Sequence, residues 1–170
     1  MKTSTRSSSV STKAHSPKLG PGEYLPEGIF LRPEDLPRPK RLHERRATPS
    51  QPCPTCGRPA SKHRTYRRSL YDFGDLRSGR PCILELTYSQ HYCRACQKYF
   101  NQDLSDVTAP KSLYTRRVQD LAVRLVVEDG LPYRSASWHL WRDHRVFVPF
   151  ATLQNWVEAG GKKGHGAHGH

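Results

Sequence analysis

Cys53-Pro54-Thr55-Cys56-Gly57 and Cys93-Arg94-Ala95-Cys96 are the stretches on which the reading of this chain turns. Each is a Cys-x-x-Cys pair, and together they offer four thiolates. Four sulfurs fill a tetrahedron around one divalent ion and leave no open position for a substrate, which is the arrangement of a closed structural zinc site. The two-residue spacer lets the chain turn so that both sulfurs of a pair face one point. Gly57 suits that turn, because glycine reaches positive φ without a steric penalty. A single pair has several uses, whereas two in a chain of five cysteines point to metal. The 36 residues between the pairs suit a ribbon whose two knuckles are joined by a long β-hairpin. Two disulfides are the alternative; it ranks low, because the start of the chain lacks the apolar stretch of a secretory signal. Cys82 is expected to be a buried or idle thiol rather than a fifth ligand. His63 and His91 lie near the knuckles, but four thiols already complete a site.

Outward from the cysteines, 62–73 and 82–92 read as the two strands of the hairpin. In the second, Leu84, Leu86, Tyr88 and Tyr92 alternate with Glu85, Thr87, Ser89 and His91, a period of two that marks a half-buried strand. In the first, arginines interleave with tyrosines, a composition able to stack on bases or grip phosphates but also common on the wet face of a small sheet. Gly74-Asp75 and Ser78-Gly79-Arg80-Pro81 supply turn residues. Tyr99-Phe100 is expected to close the apolar side of the metal site.

Beyond a polar connection over 103–113, Val118, Leu121, Ala122, Leu125 and Val126 recur at helical spacing and make one apolar stripe. Thr115 or Ser112 can cap that helix, and Gly130 stands where its C-terminus needs positive φ. Pro132 suits the first turn of a second helix over about 132–144, in which Ala136 and Ser137 permit close approach of a neighbour. A third helix is expected over about 150–159, with Leu153, Trp156 and Val157 inward and Gly160-Gly161 ending it. Three short helices with a compact turn before the last are the plan of a helix-turn-helix, whose last helix enters the major groove. Thr152, Gln154 and Asn155 are then the candidate base-reading residues, since Gln and Asn pair with adenine and a Thr methyl meets that of thymine. Arg142, Arg145, Lys162 and Lys163 are the candidate phosphate contacts. A plain three-helix bundle has the same core pattern.

The chain of 170 residues is strongly basic, with net charge +13 and a mean hydropathy of −0.80. The excess is spread evenly: ten basic against five acidic residues up to position 50, nine against five over 51–110, and nine against five after that. A basic balance in every part favours a polyanion, and nucleic acid is the commonest one. No apolar run reaches membrane-spanning length. Residues 1–50 are rich in Ser, Lys and Pro without apolar periodicity and are expected to be a disordered tail. Its basic cluster of Arg38, Lys40, Arg41, Arg45 and Arg46 reads as a linker or as an arm along phosphates. The expected fold is small α+β: a zinc-ribbon β-hairpin over 51–102, then a three-helix bundle of helix-turn-helix type over 111–160. A flexible Gly/His tail over 161–170 follows.

The Cys-Pro-x-Cys-Gly knuckle, the arginine-rich strand and the segment Tyr92 to Phe100 resemble the N-terminal zinc ribbon of bacterial insertion-sequence transposases. Gly130-Leu131-Pro132-Tyr133-Arg134 and Val148 to Val157 look like the helix-turn-helix of the same proteins. The resemblance covers about 53–159 and rests on the order of short motifs. It implies one structural Zn2+ held by Cys53, Cys56, Cys93 and Cys96, and double-stranded DNA at element ends as partner. A homo-oligomer or a partner transposase, and a cytoplasmic, nucleoid-associated location, go with it. Such transposases continue into a ribonuclease-H-like domain with three metal-binding carboxylates, for which this sequence offers no carrier. Asp72, Asp75, Asp103 and Asp106 read as loop residues of the ribbon. The expectation is therefore a DNA-binding protein or fragment of transposase type, not an enzyme. The alternatives are a zinc-dependent protein-interaction module, a transcriptional regulator without a transposition role, or a thiol redox catalyst.

Overall fold

The computed structural model describes residues 38–164. They form a five-stranded mixed sheet followed by three helices. The strands are β1 (Lys40–Arg45), β2 (Ser50–Pro52), β3 (Pro59–Asp75), β4 (Arg80–Cys93) and β5 (Lys98–Asn101), and the helices are α1 (Arg116–Val127), α2 (Tyr133–His144) and α3 (Phe150–Gly164). Antiparallel β3 and β4 form the spine. β2 extends the outer edge of β3, while β1 and β5 share the other edge of β4, β1 opposite Cys82–Thr87 and β5 opposite Gln90–Cys93.

β1 departs from the sequence expectation. The disordered tail expected over 1–50 extends too far along the chain, because Lys40–Arg45 runs parallel to β4 and 50–52 pairs with 59–61. Residues 1–37 and 165–170 lie outside the described residues. The basic cluster is thus in part a strand: Leu42 packs toward Leu70, Leu84 and Leu86, while Arg41 and His43 reach Glu85.

Alternation along β4 is present, but the covered side changes partway. Cys82, Leu84 and Leu86 are buried on one face; farther on, Ser89, His91 and Cys93 are buried on the other. Ser89 and His91 were expected to face solvent. Instead, residues 46–48 and Gln102 close over them. The Gln102 amide donates to Arg46 O at 2.7 Å, His91 Nε2 lies 3.2 Å from Thr48 O, and the His91 ring stacks on Phe100. The connection over 103–113 likewise carries more than polar residues, since Leu104 and Val107 pack on Leu70, Leu84 and Leu86.

The helices build a separate core of Val118, Ala122, Leu125, Ala136, Leu140, Val146, Val148 and Leu153. Fully buried Leu140 and Leu153 each contribute roughly 2–3 kcal/mol. Gly130 has φ +68 and ends the first helical segment as its position requires. Pro132 is the cap of α2 rather than its first residue. Ala136 and Ser137 are both buried, and the Ser137 hydroxyl donates to Val148 O, tying α2 to the turn before α3. Gly160-Gly161 does not end α3, which runs on to Gly164.

One junction sets helices against sheet. Asp72 is not a loop residue: it lies in β3, buried, and accepts hydrogen bonds from Thr115 Oγ1 at 2.8 Å, Arg117 Nε at 2.6 Å and the Phe73 amide at 2.9 Å. Thr115 occupies the N-cap position of α1, yet its hydroxyl is spent on Asp72 rather than on the helix. Burial alone would raise the Asp72 pKa, but the bonds from Arg117, Thr115 and Phe73 outweigh it and hold the carboxyl below its ordinary 3.8. Two residues on, a methyl group at Gly74 would meet Arg145 Cβ at 2.4 Å and Arg80 O at 2.7 Å.

Two outcomes follow from this junction. Gly74→Ala forces backbone apart and should cost about 1–3 kcal/mol in chemical denaturation. Asp72→Asn should cost about 2 kcal/mol near neutral pH. Because the folded pKa is depressed, the contribution of Asp72 is present above its ordinary 3.8 and is lost as pH falls through the lower folded value. Thermal melts from about pH 5 to about pH 2 should therefore show a shallower acid limb in Asp72→Asn than in the parent.

Candidate functional site

The two Cys-x-x-Cys pairs occupy two hairpin turns at one end of the sheet. Cys53 and Cys56 lie in the β2–β3 turn; Cys93 ends β4, and Cys96 lies in the β4–β5 turn. In the first turn the Cys53 amide donates to Arg58 O at 2.8 Å and the Gly57 amide to Cys53 O at 2.9 Å. The residue after each second cysteine is left-handed, Gly57 at φ +71 and Gln97 at φ +53. Both knuckles therefore use the same backbone device, and the second pays strain for it because glutamine has a Cβ.

The four sulfurs lie within 4.8 Å of one another, with Cys53 to Cys96 at 3.9 Å and Cys56 to Cys93 at 3.6 Å. A disulfide needs about 2.05 Å, so these are free thiols. A tetrahedron of sulfurs each about 2.3 Å from a central ion has edges of about 3.8 Å. The Cys53–Cys96 and Cys56–Cys93 separations bracket that figure, and the four cysteines can hold a metal ion. The thiols differ sharply in how readily they lose a proton. The amides of Cys56 and Thr55 draw the Cys53 thiol down to about 6. Cys96, crowded first by Cys56 and then by burial, is pushed up to about 12. Four thiolates in one place repel unless a cation sits among them.

Among the described residues this quartet is the only such cluster. Cys82 is buried in the sheet away from it, as expected of an idle thiol, and burial pushes its pKa up. His63 packs on Tyr99 and His91 is held by Thr48, so neither joins the sulfurs. Phe100 and Ala60 close the apolar side of the site, whereas Tyr99 stays exposed.

On α3, Leu153 is buried while Ala151, Gln154 and Asn155 are exposed; Thr152 is half-buried. Gln154 donates to Glu158 at 2.8 Å across one helical turn. Trp156 packs against the core, edge-on to Tyr114 at 5.3 Å. Arg142 is exposed and bonded to Asp143 at 3.0 Å. Arg145 is a left-handed residue whose Cβ faces Gly74 and whose guanidinium lies over Trp141, so it belongs to the helix–sheet junction. Sequence reasoning passed over Arg134 as a contact, yet its guanidinium lies 5.2 Å from the ring of Phe150 at the start of α3. The side chains of Lys162 and Lys163 lie outside what is described.

A cobalt(II) titration should give a tetrahedral thiolate spectrum saturating at one ion per chain, and Cys93→Ser should abolish it. Chelation should lower the thermal midpoint by at least about 10 °C. No helix is long and apolar enough to cross a membrane.

Comparisons with known proteins give no match: no family model, no curated protein and no solved structure is similar to this chain. The likeness to transposase N-terminal regions rests on the quoted residues alone.

Proposed function

We propose that the protein binds double-stranded DNA, with α2, the turn over 145–149 and α3 acting as a helix-turn-helix, and the sheet, closed at its far end by the four cysteines as a zinc ribbon, supporting it through the Asp72–Gly74 junction. In this reading the ion is zinc, which suits four thiolates and adds no chemistry of its own beyond fixing the two turns. The protein is then a binder of transposase type rather than a catalyst, and its targets are the ends of a mobile element.

The observation that carries the reading is the outer face of α3. Gln154 and Asn155 are adjacent, exposed and uncharged, on a helix anchored through Leu153. Amide side chains of that kind offer a donor and an acceptor together, which is what the adenine edge in the major groove presents. The net charge of +13 supplies the sequence-independent grip on phosphates. Arg134, at the start of α2 and beside Phe150, is well placed to hold the backbone next to the inserted helix.

Duplex affinity should fall steeply with salt, as release of counterions from several phosphates requires. Gln154→Ala with Asn155→Ala should cost about tenfold or more on a selected site and leave random duplex unaffected. Equal loss on both duplexes would contradict base reading by α3. A flat salt response would contradict the phosphate grip.

A further inference from the structure

The metal end of the sheet carries a surface that the helix reading leaves unused. Seven basic residues and no Asp or Glu occur in 51–71 and 86–102; the nearest acids, Asp72, Glu85 and Asp103, lie just beyond. Within that acid-free region, residues 61–67 of β3 are exposed one after another, because past the short β2 this part of β3 is the open edge of the sheet.

Register shows what this surface displays. Tyr66 stands opposite Tyr88, Arg64 opposite Gln90, and Tyr92 opposite Tyr99. Because alternate residues of a strand share a face, Tyr88, Gln90 and Tyr92 put all three pairs on one side of the sheet. The rings meet: Tyr66 and Tyr88 at 5.7 Å, Tyr92 and Tyr99 at 4.7 Å, and His63 against Tyr99 at 4.8 Å. Tyr66 is 36% exposed and Tyr99 55%. Beside Tyr92 the face continues into a shallow depression of about 650 Å³, whose lining includes Arg58, Ser61 and Arg94.

We infer that this face binds single-stranded nucleic acid, with bases stacked on the Tyr66–Tyr88 and Tyr92–Tyr99 pairs and phosphates held by Arg64, Arg58 and Arg94. Two aromatic platforms with a cation between them match the two demands of an unpaired strand, a π-face for each base and positive charge along the backbone. Paired bases offer no free face, so duplex is excluded from this surface. Tyr88 and Tyr92 are four residues apart, about 13 Å along the strand. That spacing accommodates a short run, on the order of four nucleotides. The tyrosines are sequence-tolerant readers, in contrast to the amides of α3. The inference stands apart from the reading of α3, because it uses other residues and another form of nucleic acid.

The test is fluorescence anisotropy on the full, metal-loaded chain with labelled oligo(dT) and oligo(U) about 20 nucleotides long, beside a duplex of the same length. Tyr66→Ala with Tyr99→Ala should weaken both single strands by about tenfold or more and leave duplex binding and metal content unchanged. Tyr66→Phe with Tyr99→Phe keeps the rings and should keep the affinity. Gln154→Ala with Asn155→Ala should leave single-strand binding as it was, so failure of either reading is visible without the other. Loss on oligo(dT) alone or on oligo(U) alone would assign the face to DNA or to RNA. The inference is overturned if the parent fails to bind single strands, or if the alanine variant binds them as tightly as the parent. It is overturned too if poly-glutamate competes as well as the oligonucleotides do, which would make the face a general surface for acidic polypeptides.

Discussion

Four sulfurs held within 4.8 Å are the constraint on which the rest of this structure depends. β2 and β5 are three and four residues long, too short to hold a sheet edge by hydrogen bonding alone. Each is joined to the spine through a turn that carries two of the cysteines. Drawing those turns together holds that end of the β3–β4 ladder and buries Cys53, Ala60 and Cys93 against Phe100. A sheet with a buried core of only Leu70, Leu84 and Leu86 at its other end gains little from burial. Cross-linking through a metal site is the usual remedy for a core of that size.

The helical end is organised differently. Its stability comes from a continuous apolar cluster, and its attachment to the sheet comes from the polar contacts of Asp72 and the missing side chain of Gly74. Arg117 spans the two features, bonded to the Asp72 carboxylate and lying over the Phe73 ring at 5.3 Å. The two ends thus differ, with a four-cysteine cluster able to hold a metal ion at one, a buried apolar cluster at the other, and a charged junction between them.

The parts legible in the sequence are those with local rules. Cysteine spacing gave the quartet, period two gave β4, the turn residues before it placed β3 as its hairpin partner, and helical period gave α1 to α3 with Gly130 at its turn. What was not legible depended on partners distant in sequence. Lys40–Arg45 contains one aliphatic residue, Leu42, and no β-branched one; it becomes a strand only because β4 offers a parallel edge. Ser89 and His91 looked exposed because alternation reveals which residues share a face, but not which face another segment will cover. Asp72 looked like a loop acid because its partners, Thr115 and Arg117, lie more than forty positions away. Gly74 looked like a turn residue, since a close approach by Arg145 leaves no trace in the neighbouring sequence.

The length of β3 gives the molecule a ruler. Ala60 packs on the sulfurs and Gly74 is wedged beneath the end of α2, and a single strand joins them, with irregularities at 62–64 and 72–75. Fourteen steps of extended chain amount to about 45 Å. The same length of duplex holds about thirteen base pairs, more than one turn of B-form DNA. The cysteine end and the helical end are therefore too far apart to address the same base step, and anything engaged by both at once must be long, bent or doubled back.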